Sequence, residues 1–399
     1  MYVPATQSNQ TLQLLVSKLK LGNVLELFCV GGASLFVMAI CAILTNPSIL
    51  LRDDVRIALA QLSATGLFFP ALLSYSHSMW SFRFAYWQGG AFVFRHNFAL
   101  LIFPIAIISL LITSAMTWLV PVSTLPLLAK IEQQFNTIGI AINWTKYNSL
   151  GQLLISLLLI LQITMSGYHY GMQALGVALA CGEKHGYRLD DKQKAFLRYN
   201  IYSIWILNLL SGYTFLSILD SKFYGYRPVQ FPKEWQAIAA LVFVVSLVLL
   251  LPKVIIPIYK QTKQLPPAPA IMTMVALWLW LQPFFQPYGF QATIVPFAHG
   301  LQYLYFAAKG EANGFARKQV TSSSNSKAWL VTLSVFVILV PCGYFAYKYL
   351  PVALDRTTLI HSLAPNFFIL CAYIFFNTQH YAIDSVIWRR DSKLYSLFK

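Results

Sequence analysis

Five of the seven histidines in this chain lie within or at the ends of apolar segments, where an ionisable side chain is costly and usually functional. His380 is followed four residues later by Asp384, so both side chains lie on one face of a helix. Imidazole binds iron, zinc and copper well, and several histidines with one carboxylate therefore predict a transition-metal site, with non-haem iron the expected ion. The predicted metal ligands are His77, His96, His169, His299 and His380.

Other polar side chains follow these histidines at helical spacing. Gln173 comes four residues after His169, while Gln302 and Tyr303 come three and four residues after His299. Amide groups at this spacing can orient metal-bound imidazoles through hydrogen bonds, so Gln173 and Gln302 are predicted to support the cofactor. The predicted catalytic residues are Asp384, Tyr303 and Tyr381.

The composition is that of a polytopic membrane protein. Of the 399 residues 57% are hydrophobic and only 11% are charged, whereas soluble proteins carry about 25% charged residues. The formal charge of +16 does not indicate nucleic-acid binding, because the basic residues lie between apolar segments as the positive-inside rule predicts. The first residues do not resemble a signal peptide. The five cysteines have no zinc-binding or disulfide spacing.

The predicted fold is all-α, with about ten transmembrane helices and both termini in the cytoplasm. A span takes about 20 residues, and twenty of the 29 basic residues lie in the termini and in alternate connections, which sets the orientation. The expected location is the plasma (inner) membrane. The predicted spans are 21–45, 55–78, 96–120, 150–181, 196–219, 235–259, 268–285, 290–308, 328–348 and 362–389.

The chain divides simply around these spans. Residues 1–20 predict a cytoplasmic interfacial helix, 21–391 a single helical bundle and 392–399 a basic cytoplasmic tail. An amphipathic stretch within 122–148 predicts a surface helix or a re-entrant segment, and the Gly- and Ser-rich stretch 309–327 predicts a flexible link.

The predicted spans place His77 and His96 at the cytoplasmic boundary and the other three proposed ligands at mid-membrane or below. Helices could therefore direct all five rings into one cavity in the cytoplasmic half. Aromatic and apolar residues dominate the neighbouring segments. The expected substrate is a hydrophobic lipid or isoprenoid that enters from the bilayer.

Two features of the sequence resemble those of known membrane enzymes. Carotenoid-cleaving enzymes of the Brp/Blh type hold iron with scattered intramembrane histidines, and this chain resembles them in that arrangement rather than in a continuous motif. The HxxxH and HxxHH boxes of membrane di-iron desaturases and hydroxylases do not occur here. The stretch AHGLQYLYF (298–306) resembles the His-Gly segment of membrane-bound O-acyltransferases, which implies His299 as a general base.

Three functions follow from these observations. The first is an oxidoreductase that uses non-haem iron, with haem held by two histidines as a variant. The second is a proton-coupled transporter made of two inverted five-span halves, in which His380 and Asp384 relay protons. The third is an acyltransferase. The expected partners are the lipid bilayer and a hydrophobic small molecule, without nucleic acid, and the sequence does not indicate an oligomeric state.

Overall fold

The computed structural model describes residues 21–44, 68–211, 229–283, 290–318, 324–357, 363 and 366–389. Within these residues the regular elements are helices and no strands occur, which confirms the all-α prediction. The predicted interfacial helix at 1–20 and the predicted tail at 392–399 lie outside the described residues.

The α-helices are α1 (Leu21–Leu27), α2 (Ala33–Leu44), α3 (Phe68–Trp87), α4 (Gly90–Arg95), α5 (Phe103–Met116), α6 (Pro126–Thr137), α7 (Leu150–Lys184), α8 (Asp191–Leu210), α9 (Lys233–Leu250), α10 (Ile256–Thr262), α11 (Ala268–Leu281), α12 (Phe290–Lys318), α13 (Ser324–Tyr344), α14 (Leu350–Arg356) and α15 (Phe367–Ile387). Wider π-helical turns join or precede several of them, at Phe28–Gly32, Phe98–Ile102, Leu251–Ile255 and Phe345–Tyr349, and the first is kinked, with non-helical backbone at Gly31. Short 3-10 turns lie at Val122–Thr124 and Trp144–Lys146.

Among the described residues, four continuous helical stretches are long and apolar enough to cross a bilayer, which indicates a membrane protein. They are Phe98–Met116, Leu150–Lys184, Lys233–Thr262 and Trp329–Arg356. Large apolar side chains stay exposed along them, as on Leu241 and Val248, and such a surface suits contact with lipid. Val24–Ile40 and Ala268–Leu281 are apolar but shorter. The total of ten spans and the orientation of the termini remain predictions.

Helix α3 continues to Trp87, nine residues beyond the predicted end of the second span at residue 78. The prediction ended there because Ser76, His77 and Ser78 lower the local hydropathy. All three are nevertheless buried, and Ser76 and Ser78 donate hydrogen bonds to carbonyls one turn back in the same helix. His77 therefore lies in the interior of a helix rather than at its end, and its position at the cytoplasmic boundary remains a prediction.

Helix α12 is also longer than the span predicted at 290–308, because it continues through residues that were predicted to form a flexible link. Glu311 in this part accepts two hydrogen bonds from Arg83 of α3, at 2.6 and 2.8 Å. This two-point ion pair holds the end of α12 against α3. The connection at 122–148 contains helix α6, which has no buried residues; whether it lies on the membrane surface or re-enters the membrane remains a prediction.

The bundle is organised around two central helices. Helix α3 packs against α12, α13 and α15, while α7 packs against α5, α8, α11 and α15. The approach of α12 to α3 is close, since a Cβ added to Gly300 would lie 3.3 Å from the backbone of Leu73. Such small residues let helices approach closely and gain van der Waals packing in a membrane. Helices α3, α7, α12 and α15 thus enclose a common interior.

Candidate metal centre

Four of the five predicted ligands meet in this interior. His77 comes from α3, His169 from α7, His299 from α12 and His380 from α15, and their exposed fractions are 3%, 6%, 1% and 1%. One ring nitrogen from each lies within 4.8 Å of the others. The Nε2 atoms of His77 and His380 are 2.8 Å apart, and those of His169 and His299 are 3.1 Å apart. The rings meet mostly edge to face, so their nitrogen atoms rather than their faces converge.

The distances within the two close pairs are near those between neighbouring ligands of a single ion. For metal–nitrogen bonds of about 2.1 Å, two ligands at a right angle lie about 3.0 Å apart and two tetrahedral ligands about 3.4 Å apart. Each close pair is also within range of a hydrogen bond between neutral imidazoles, in which one Nε2 donates to the other. The second ring nitrogen, Nδ1, of both His299 and His380 is buried and has no hydrogen-bond partner among the described residues. Pairwise hydrogen bonding therefore leaves polar atoms unsatisfied in this interior.

Asp384 lies beside the four rings, with an exposed fraction of 7%. Its Oδ1 is 3.7 Å from Nδ1 of His380, and its Oδ2 is 3.7 Å from Nε2 of His169. Within the described residues, no lysine or arginine comes within salt-bridge distance of this carboxylate. Glu26 is also a deeply buried carboxylate, but it forms an ion pair with Lys184. A buried charge requires a partner, and a cation held by the four histidines would provide one for Asp384.

A short hydrogen-bond chain leads from Asp384 to Tyr303. Ser81 Oγ is 2.7 Å from Asp384 Oδ1 and 2.6 Å from the Tyr303 hydroxyl. Ser81 Oγ is placed to donate to either of these oxygens, although a serine hydroxyl has only one proton to give. The Tyr303 ring lies 5.1 Å from the His77 ring, centroid to centroid. The predicted catalytic residues Tyr303 and Asp384 are thus connected through a serine.

Tyr381, the third predicted catalytic residue, has different hydrogen-bond partners. Its ring lies 4.5 Å from the His169 ring, and its hydroxyl is 2.8 Å from Ser166 Oγ. Ser166 donates to the Gln162 backbone carbonyl and accepts from the Gln162 side chain. This chain ends at amide groups rather than at a carboxylate. Tyr170 completes the wall, with its ring 4.4 Å from that of His299.

Gln173 and Gln302 form an amide network beneath His299. Gln173 Nε2 donates to the His299 backbone carbonyl at 3.2 Å and to Gln302 Oε1 at 3.0 Å. Gln302 Nε2 donates to the carbonyl of Val30 at 2.7 Å, inside the π turn Phe28–Gly32. The two glutamines therefore fix the backbone around His299 and do not contact an imidazole ring through these bonds.

A second π turn serves the site in the same way. Gln379, which precedes His380, donates to the carbonyl of Ala99 at 3.0 Å, inside the π turn Phe98–Ile102. Turns of this type are rare and often occur at functional sites. Here they present backbone carbonyls to glutamines that flank two of the four histidines.

His96, the fifth predicted ligand, does not join the four. It follows α4 with non-helical backbone angles, is half-buried, and packs against Phe92 at 4.5 Å between ring centroids. The break between α4 and the following π turn directs this side chain to its own neighbours. Its assignment to the metal centre is therefore corrected.

Sequence reasoning missed Ser81, Ser166 and Tyr170. Ser81 lies four residues after His77 and would have been found if the second span had been extended to Trp87. Tyr170 is adjacent to His169 in the sequence. Neighbouring residues on a helix point in different directions, so the position of His169 does not indicate a role for Tyr170. The Tyr170 ring, on α7, instead contacts the ring of His299, which lies on α12.

Comparisons with protein-family models, with curated proteins and with solved structures give no match. The four histidines and their neighbours must therefore be interpreted from their own chemistry.

Proposed function

We propose that this chain is an integral membrane oxidoreductase that binds one transition-metal ion, expected to be non-haem iron, at His77, His169, His299 and His380. The observation that carries the proposal is the convergence of four buried imidazole nitrogens, from four helices, within 4.8 Å of one another. Imidazole is a ligand that suits iron, copper and zinc. Four such ligands on a six-coordinate ion leave positions for oxygen and substrate.

The donor set favours a single ion over haem. Two histidines that bind a haem lie on opposite sides of a flat macrocycle, but here all four nitrogens point to one region, which leaves no room for a plane between them. Asp384 would balance the charge of the ion, since its Oδ1 lies 3.7 Å from Nδ1 of His380.

Substrate access is proposed from the side of Tyr170. A cavity of about 70 Å³ lies there, between α7, α8, α11, α12 and α15, and the ring of Tyr170, which lines it, lies 4.4 Å from that of His299. Its wall combines apolar side chains with a few polar ones, which suits the oxygen-bearing end of a hydrophobic molecule. The polar lining residues include Gln162, Ser166, Asn208 and Tyr373.

Metal analysis of the purified full chain tests the proposal. The wild type should retain about one ion per chain, as four histidine ligands imply. His380→Ala and His169→Ala should lose most of it. His96→Ala is the matched control, because it removes a histidine of the same bundle that lies outside the four. Wild-type protein without metal, or equal loss in His96→Ala, would refute the proposed site.

Oxygen uptake by the metal-loaded protein tests the reaction class. Hydrophobic substrates such as isoprenoids and unsaturated fatty acids should stimulate uptake in the wild type and not in His380→Ala. If instead the protein holds no metal and takes up a solute into liposomes under a pH gradient, the transporter alternative is favoured.

A further inference from the structure

A second cavity lies away from the four histidines, where the loop after α7 meets α8 and α11. Its volume is about 130 Å³, compared with about 70 Å³ for the cavity beside Tyr170. Apolar side chains of α7, α8, α11 and the π turn Leu251–Ile255 form most of its lining. None of the four histidines lines it, and the first lining residue on α7, Ala178, is about 14 Å along that helix from His169. The proposed metal centre therefore does not account for this cavity.

Two side chains in this lining, Tyr187 and Trp278, carry an oxygen or nitrogen atom. The indole N–H of Trp278 donates to Asn200 Oδ1 at 2.8 Å. Tyr187 is only 7% exposed, and its buried hydroxyl has no hydrogen-bond partner among the described residues. A buried polar group without a partner is costly. Water is a poor partner here, because a buried water needs about two to four polar groups and the remaining lining side chains are apolar.

The cavity has a polar end and an apolar end. Tyr187 follows the last turn of α7 and Pro266 precedes the first turn of α11, so both lie in loops at one end of the cavity. The lining then continues along α11 from Ala270 to Trp278, over about 12 Å. Ile271 also lines the cavity and is 47% exposed, so the cavity reaches the apolar outer surface of the bundle. A membrane lipid has the same order, with oxygen atoms near the bilayer surface and hydrocarbon inside.

We propose that this cavity binds a fatty acyl chain, with the oxygen-bearing end of the chain at Tyr187 and the hydrocarbon directed towards Trp278. The Tyr187 hydroxyl would donate to a carboxylate or ester oxygen, which accepts hydrogen bonds and has no proton to give. A cavity with one free polar group at its end suits such a chain better than a quinone ring, which carries oxygen atoms on opposite sides. Free fatty acids and membrane glycerolipids both contain this group. The inference goes beyond the proposed oxidation and does not rest on it.

Photo-crosslinking of the purified full chain in detergent tests this proposal, with palmitic acid that carries a diazirine near its methyl end as the probe. Mass spectrometry should place the crosslink mainly between Ala270 and Trp278, before and after metal is removed with a chelator. Unlabelled palmitate and phosphatidylglycerol are compared as competitors, and the stronger one identifies the source of the chain. Even labelling of other lipid-facing helices such as α9, competition by neither lipid, or equal competition by a quinone would overturn the proposal.

Two variants test the two ends of the cavity separately. Tyr187→Phe removes only the hydroxyl and should weaken binding of the probe by about 2- to 12-fold, the usual contribution of one hydrogen bond. Tyr199→Phe is its control, because Tyr199 is 64% exposed on α8 and does not line the cavity. Ala270→Leu fills the cavity and should abolish the crosslink, whereas Ala268→Leu, at an exposed position of the same helix, should not. Unchanged labelling in Ala270→Leu would overturn the site even if Tyr187→Phe failed to fold, and unchanged affinity in Tyr187→Phe would overturn the orientation of the chain.

Discussion

Replacing Asp384 with Asn keeps the shape of the side chain and removes its negative charge. The carboxylate oxygens lie 3.7 Å from ring nitrogens of His169 and His380, and no lysine or arginine pairs with them within the described part of the chain. An ion bound by those histidines would thus have Asp384 as its nearest compensating charge. Asp384→Asn should weaken metal binding without removing a ligand.

The size of this effect can be bounded. Two unit charges about 4 Å apart attract by about 4 kcal/mol at an effective dielectric constant of about 20, which sets an upper scale. Replacing groups that hydrogen-bond to metal-bound histidines usually weakens affinity by about 10- to 100-fold. That range corresponds to about 1.4–2.7 kcal/mol, since a tenfold change in affinity is about 1.36 kcal/mol. We therefore expect the dissociation constant to rise by about 10- to 100-fold.

Competition with a chelator of known affinity measures this constant for purified protein. Ser385→Ala is the matched control, because Ser385 is adjacent in the sequence but exposed on the other side of α15. Unchanged affinity in Asp384→Asn would refute the role of its charge. A loss as complete as that in His380→Ala would instead make Asp384 a direct ligand.

Two further predictions concern the framework. A double-mutant cycle of Arg83→Met and Glu311→Gln should give a coupling free energy of about 1–2 kcal/mol in chemical unfolding, between the values for exposed and buried pairs; additive effects would contradict this. Gly343→Ala should destabilise by about 1–3 kcal/mol, as overpacking does, because its Cβ would lie 2.9 Å from the backbone of Tyr75. Gly176→Ala should not destabilise the protein, because no other atom lies within 4 Å of the added Cβ. Thermal unfolding of both glycine variants measures the difference.

The residue types of the site could be predicted from the sequence, because imidazoles and a carboxylate inside apolar segments are conspicuous. The convergence of these side chains in space could not be predicted. His77 and His380 are separated by 303 residues, and nothing in either segment shows that their helices are neighbours. His96 was selected by type and estimated depth, and depth says nothing of the direction of a side chain at a helix break.

Hydropathy also did not predict that α3 continues to Trp87, because buried serines and a histidine score as polar even when the bundle satisfies them. The π turns were not predicted, since FCVGG and FALLI share no recognisable pattern. Tyr303 and Tyr381 each contact a serine on another helix, but Ser81 also contacts Asp384 whereas Ser166 contacts Gln162, and only the packing of the helices brings these partners together.

His169 lies deep along α7, a helix of 35 residues. At 1.5 Å per residue, it is about 28 Å from the Leu150 end and about 22 Å from the Lys184 end. Water-soluble reductants at either surface would then have to pass electrons over a distance comparable with the hydrocarbon thickness of about 30 Å. In the proposed oxidation, such a depth would favour reagents that dissolve in lipid, such as quinols and dioxygen.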